Sequence, residues 1–269
     1  MTRAQRFRRV AGWLLPVALV LIALGSPALA QNEVTPTEAM AVGNQHYEAG
    51  AYNEAATIYE TITAAGVQDS ALYFNLGNAY FKSGDLGRAV LNYRRAHYLD
   101  PRDSDIRQNL TIARLQTLDR LDETGGTGLS NVVQLVEEWL TLTEAAVLAL
   151  LLWLATSALL TAAILSRRIR KYALWAAAVP GLFLVAGLLS MANRSYRAAT
   201  TPPAVVVAPE VDVTSGPGSS SEYVVEFTLH AGAEVRLTDS RPNWRQISLP
   251  GQTFKGWVPA DTVEPVIPE

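Results

Sequence analysis

No cysteine occurs among the 269 residues, which excludes disulfides, thiol nucleophiles and cysteine-ligated metal. Histidine is almost as scarce: His46, His97 and His230 stand in separate contexts without metal-ligand spacing. Charged residues make up 17% of the chain against 49% hydrophobic, the balance of a protein that is part membrane and part globular. The sequence carries no nucleophile elbow and no Ser-x-x-Lys pair. Its one glycine-rich stretch, Thr124-Gly125-Gly126-Thr127-Gly128, lacks the Gly-Lys-Ser/Thr ending of a phosphate loop and reads as a linker. Glu137 and Glu138 are neighbours on one helix and do not face each other across a cleft. With no catalytic, metal or cofactor residues to name, the expectation is a chain that is not an enzyme. An envelope enzyme of unidentified type is the remote alternative.

Formal charge is missing altogether from two runs, 145–165 and 172–192, of 21 residues each. As helices they measure roughly 31 Å, the thickness of a bilayer's hydrocarbon core. Buried helices of a soluble core are the alternative, and two such runs in series argue against it. With no Asp, Glu, Lys, Arg or His inside either run, neither a channel nor a proton relay is expected. Thr156, Ser157, Thr161 and Ser190 can bond to their own helix backbone. The connection at 166–171 carries Arg167, Arg168, Arg170 and Lys171 and no acid. By the positive-inside rule it is cytoplasmic, and both outer ends of the hairpin then face the other side. The spans are placed at 143–165 and 172–192, with a linker at 193–203.

Residues 1–30 have the parts of a secretory signal peptide: basic Arg3, Arg6, Arg8 and Arg9, an apolar stretch at 10–24, and Ala28 and Ala30 at the −3 and −1 positions before Gln31. A cleaved leader and an uncleaved anchor are both compatible with this text. In either case 31–142 is exported. Residues 31–128 hold 13 acids and 8 bases, and 204–269 hold 9 acids and 4 bases. Both outer parts therefore have a net charge of −5, which argues against nucleic acid as a partner.

A period of 34 runs through 37–101: Gly43-Asn44 returns as Gly77-Asn78, Gly50 as Gly84, Ala55 as Ala89 and Tyr59 as Tyr93. Gly77 and Ala89 are small where two helices cross. Gly84 suits a left-handed turn, Asp85 can cap the next helix, and Pro101 stops it. These residues resemble the tetratricopeptide (TPR) repeat, with Ala39, His46 and Ile62 of the first copy departing from the pattern. An array is expected over 31–118, with repeats at about 36–69 and 70–103 and a capping helix at 103–118. Two and a half repeats are few for a free-standing solenoid, so support from a partner or from the membrane is expected. The resemblance implies a peptide- or protein-binding groove lined by Met40, Asn44, Tyr47, Phe74, Asn78 and Phe81. The other reading of these rings is inter-helix packing. Met40 and Phe74 occupy a site where capture of a C-terminal carboxylate needs cations. The region 119–142 reads as a linker followed by an interfacial helix, with Trp139 at headgroup level.

From Ala204 onward short strand-like runs alternate with turn residues such as Gly216-Pro217-Gly218 and Pro250-Gly251. Val-x-Val-x-Ser-Gly-Pro, Leu-x-x-Gly-x-x-Val, Trp244-Arg-x-Ile and Gly256-Trp257-Val258-Pro259 together resemble bacterial SH3-like (SH3b) domains over 204–266. Trp244 and Trp257 are the candidate surface there, read either as core or as a ligand platform. Thr262 stands where a proline-binding tyrosine would be, so a polyproline groove is not expected.

The fold class expected is thus a multidomain membrane protein: an α-helical TPR solenoid, a two-helix transmembrane hairpin and a small all-β SH3-like barrel. This order, with Glu137-Glu138-Trp139-Leu-Thr-Leu-Thr-Glu144 and Asp103-Ser-Asp-Ile-Arg-Gln-Asn-Leu110, resembles the E-type TPR proteins of the bacterial aerotolerance (Bat) group. The resemblance implies a scaffold on the outer face of the cytoplasmic membrane, beside von Willebrand A-domain membrane proteins and a MoxR-type ATPase. A cell-wall sensor or tether, binding cell-wall peptide through the SH3-like domain, is the competing reading.

Overall fold

The computed structural model describes residues 35–119, 139–218, 222–251 and 254–267. The expected leader at 1–30, the glycine-rich linker and most of the interfacial helix lie outside them. Contacts divide the chain into Met1–Glu38 and Ala39–Glu269. In the first unit, Thr35 and Glu38 cap each other. Thr35 N–H donates to Glu38 Oε2 at 2.9 Å, and Glu38 N–H donates to Thr35 Oγ1 at 3.2 Å, a reciprocal N-terminal box.

Five helices follow in series: α1 (Pro36–Glu48), α2 (Tyr52–Ala64), α3 (Ser70–Ser83), α4 (Leu86–Leu99) and α5 (Ser104–Gln116). Their ends are written in the sequence. Asp69 accepts from Leu72 N–H, Asp85 from Arg88 N–H, and Asp103 from Asp105 and Ile106 N–H, at 2.8 to 3.1 Å. Gly84, at φ 90°, ends α3 in a left-handed turn that a side chain would strain. The 34-residue period is a packing period. A Cβ on Gly77 would lie 2.7 Å from the Tyr93 ring, and Gly43 stands in the same way against Tyr59. Both tyrosines are 1% exposed.

Two long helices come next, α6 (Leu142–Leu165) and α7 (Arg170–Thr200), both long and apolar enough to cross a membrane. They pack on each other, burying only alanines: Ala149 and Ala163 of α6, Ala173 and Ala177 of α7. Their large side chains point outward, with Trp175 80% and Leu189 67% exposed. Soluble monomers rarely expose contiguous apolar surface of this extent, and the pair is compatible with membrane insertion. Thr156 and Thr161 donate to the carbonyls of Leu152 and Ser157 in their own helix. The helix runs on to Thr200, where a linker was expected from residue 193. Asn193 to Thr200 contains neither Gly nor Pro, so nothing in that stretch stops it, and Pro202-Pro203 sets the limit.

The chain ends in one antiparallel seven-stranded sheet, built from β1 (Pro203–Val206), β2 (Glu210–Thr214), β3 (Val225–His230), β4 (Glu234–Arg241), β5 (Trp244–Ser248), β6 (Lys255–Pro259) and β7 (Val263–Pro265). Its strand order is β3-β2-β6-β5-β4-β1-β7. Val206, Val213, Ile247, Val258 and Val263, from five strands, share one core, so the sheet curls over its own inner face. β7, with its text Val-Glu-Pro, has no strand signal of its own. It is held by pairing with β1, Val206 opposite Val263.

The sheet docks directly on the helices. Val205 and Val266 belong to the same buried cluster as Leu76, Ala89 and Tyr93. Gly87 allows the approach: a Cβ there would stand 2.9 Å from Val206 O and Val207 Cα, both backbone atoms. Around this contact lies a ring of polar ties. Arg94 Nε is 3.1 Å from Glu234, Arg114 Nη2 donates to Glu234 at 2.9 Å, and Arg95 Nη2 donates to Pro265 O at 3.0 Å. His230 N–H donates to Asp119. Support for so short a helical array was expected from a partner or from the membrane; the structure supplies it instead from this chain's own sheet.

Gly87→Val is expected to lower stability by about 2 kcal/mol, the usual effect of overpacking against atoms that cannot swing away. It should also split thermal unfolding of the detergent-solubilised chain into separate helical and sheet transitions. One unshifted transition would contradict the docking.

Burial alone would raise the Glu234 carboxyl, but Arg94 and Arg114 outweigh it and hold it below the usual glutamate range. A carboxyl depressed on folding stabilises fully above its unfolded value of about 4.3, and that contribution is lost as pH falls through the folded value. Acid titration should therefore weaken the docking below about pH 4. Glu234→Gln should lose this part of the acid response and about 2 kcal/mol at neutral pH, both read by calorimetry.

Candidate protein-binding groove

Helices α1, α3 and α5 are the first members of successive helix pairs, and they carry a connected row of amides. Asn75 Nδ2 donates to Asn44 Oδ1 at 3.1 Å, and Asn109 Nδ2 donates to Asn78 Oδ1 at 2.9 Å. The same oxygens also accept from the partner helices: Tyr59 Oη donates to Asn44 and Tyr93 Oη to Asn78, each at 2.7 Å. Each amide oxygen therefore takes two hydrogen bonds, the full capacity of its lone pairs. What Asn44 and Asn78 can still offer a ligand is N–H, which suits the carbonyls of an extended chain.

The tyrosines are held as neutral donors. Burial is the main reason that the Tyr59 phenol is pushed up to about 12, and Tyr47 and Glu48 add to it. Burial raises Tyr93 further still.

Met40, Tyr47, Phe74 and Phe81 are half-buried and pack against the helical core. Phase explains the pattern: Met40 and Phe74, like Tyr47 and Phe81, are 34 residues apart, and each shows one edge to the core. Phe74 lies 6.0 Å from the Tyr93 ring, and Tyr47 meets Tyr52 edge-on at 5.3 Å. Asn44 is exposed and Asn78 half-buried. Sequence reasoning missed Asn75 and Asn109. The signal was present, since they too are 34 apart, but neither falls on a TPR signature position.

Trp257 is 6% exposed, its ring is covered by the Arg241 guanidinium at 5.2 Å, and its carbonyl accepts from Thr214 Oγ1. Trp244 is half-buried and pairs with Pro259 across β5 and β6. The two rings are thus tied into strand pairing. Arg167, Arg168, Arg170 and Lys171 are exposed at the turn joining α6 to α7, at the far end of the helix pair from the ties Arg102–Glu144 and Arg194–Leu140 O.

Comparison with known families bears on this groove. Residues 70–103 match the tetratricopeptide repeat model. The match spans α3, α4 and the turn to α5, the copy that holds Phe74, Asn78 and Phe81. This type of repeat supports binding to other proteins. No curated protein matches the chain.

The Asn78–Tyr93 bond should be measurable as a coupling. Asn78→Ala and Tyr93→Phe are expected to cost about 1 kcal/mol each, and the double variant much less than their sum. Additive losses in denaturant unfolding would show that the two groups act separately.

Proposed function

We propose that this chain is a two-pass membrane scaffold without catalytic activity. In this reading its TPR helices and SH3-like sheet stand together on the extracytoplasmic face of the cytoplasmic membrane, holding protein partners there. The observation that carries the reading is the docking itself. The helical array and the sheet share one buried core, so a membrane cannot separate them. Both meet the hairpin at its outer end: Arg102 of the array pairs with Glu144, and β1 starts at Pro203 just after α7 ends. Among the described residues the other end carries the cationic turn, which the positive-inside rule assigns to the cytoplasm.

The groove of α1, α3 and α5 is the binding face in this reading, and a protein segment in extended conformation is its ligand. The resemblance to the aerotolerance group supplies the partner classes: von Willebrand A-domain membrane proteins and a MoxR-type ATPase system. The cell-wall tether is the weaker reading, because Arg241 lies over the Trp257 ring that would serve as its platform.

The natural absence of cysteine makes the test simple. Single cysteines at Lys82, Lys255 and Arg168, all exposed, can be treated with a membrane-impermeant maleimide on intact spheroplasts. Lys82→Cys and Lys255→Cys should label at once, and Arg168→Cys only after lysis. Labelling of Lys82→Cys and Lys255→Cys from opposite faces would end the reading. Co-purification from solubilised membranes then tests the groove. Tyr47→Ala with Phe81→Ala should lose the partners that the parent retains, with its thermal unfolding still cooperative.

A further inference from the structure

A pocket of about 270 Å³ is lined by α2, α3, α4 and β7, apart from the amide row. Glu60, Tyr80, Asn92, Arg95 and Glu264 give it a polar wall, and the stretches that supply them are described without a gap. Two buried polar atoms of these residues have no hydrogen-bond partner among the described residues: Asn92 Oδ1 and Arg95 Nε. Asn92 is 2% exposed, and its Nδ2 donates to the Arg88 carbonyl at 2.8 Å. A carbonyl can only accept, so the amide's orientation is fixed and the oxygen is its unbonded end. Arg95 is held as firmly. Its Nη2 donates to Glu264 at 3.3 Å and to Pro265 O at 3.0 Å, and its guanidinium lies 5.9 Å from the centre of the Tyr73 ring. Asn92 and Arg95 are three residues apart on α4 and so share a face. Buried polar atoms are almost always satisfied. An acceptor and a donor left open side by side ask for one group that both donates and accepts. Glu60 adds a second acceptor: its Oε1 takes the Tyr80 phenol and its Oε2 remains. Burial, with the bond to Glu60, pushes that phenol up and keeps it a donor.

We propose that this pocket receives a primary carboxamide, the end of a glutamine or asparagine side chain on a partner protein. One N–H of the group goes to Asn92 Oδ1, the other to the Glu60 carboxylate, and its oxygen accepts from Arg95 Nε. The alternatives match less well. An ammonium group would leave Arg95 Nε without an acceptor, and a carboxylate would leave Asn92 Oδ1 without a donor. The volume is below that of ordinary small-molecule sites and suits the end of one side chain. The protein-binding reading enters only through the source of the carboxamide.

The test uses the detergent-solubilised full chain and a capped glutamine, Nα-acetylglutamine methylamide, with its glutamate counterpart as the control. Saturation-transfer NMR reads binding, and thermal unfolding reads the fold. The glutamine probe should saturate, and the glutamate probe should bind about tenfold more weakly or worse, for want of donors. Glu60 is exposed, so Glu60→Ala keeps the fold and should weaken the glutamine probe by a similar factor. Glu54→Ala, also exposed on α2 but outside the pocket, should leave binding in place. Asn92→Leu should abolish binding and yet raise the unfolding midpoint, because it removes an unpaired buried oxygen. A purely structural asparagine would lower it. Absence of a saturable signal, or equal binding of the two probes, overturns the proposal and leaves water as the occupant. Undiminished binding to Glu60→Ala and Asn92→Leu overturns it as well. Free glutamine that binds more tightly than the capped residue overturns the partner source in favour of a solute. The probe reports on this pocket whether or not the groove holds a partner, so the two readings fail separately.

Discussion

The contact of α4 with β1 is the constraint on which the rest depends. Two small, separately unimpressive modules become one body there, because Gly87 lets a helix lie against strand backbone and Val205 and Val266 complete the helical core. A helical array of this length has few internal neighbours per helix, since each repeat touches only the next. A sheet of about sixty residues likewise buries a modest fraction of its surface. Fusing their cores removes apolar area from water on both sides at once. The ion pairs around that contact are partly exposed and contribute less than the apolar burial. Their main effect is on register, because Glu234 fits only between Arg94 and Arg114.

Residues that act locally were legible in the sequence. The period of 34 announced itself because every turn of the array reuses the same small-residue and tyrosine contact, Gly43 on Tyr59 and Gly77 on Tyr93. Asp85 and Gly84 mark a helix junction by chemistry that needs only neighbours. Most strands could be placed from Val-rich runs between turn residues. β7 could not, because three residues of Val-Glu-Pro form a strand only when β1 is there to pair with them. The helix extension to Thr200 was missed for the opposite reason. A polar stretch after an apolar run suggests a linker, yet nothing within it breaks a helix.

The docking was invisible at the level of sequence. Arg95 and Glu264 lie 169 positions apart, and Arg114 and Glu234 lie 120 apart, and no periodic pattern joins them. Gly87 looked like any glycine near a helix start. The amide row was half legible: Asn44 and Asn78 stood out, while their donors Asn75 and Asn109 did not. That omission changes the chemistry inferred. Taken singly, each asparagine could accept or donate; in the row the Asn44 and Asn78 oxygens are saturated, and only their N–H groups are left to face a ligand.

Net charge by segment was informative about partners and misleading about local chemistry. The helical region and the sheet each total −5, which argues against nucleic acid, yet five arginines among the described residues gather where the array, the sheet and the outer end of α7 meet. The two facts agree once the acids are located. Most carboxylates near the helix starts are caps, Asp69, Asp85 and Asp103 among them, and they answer to backbone N–H groups at those ends. The arginines sit instead on faces that only the assembled protein brings together: the back of α4 and α5, the outer end of α7, and the edge of β4. Segregation of this kind requires the fold. A chain that kept its composition but lost the α4–β1 contact would keep its charge and lose the pairing of Glu234 with Arg94 and Arg114 that the docking makes.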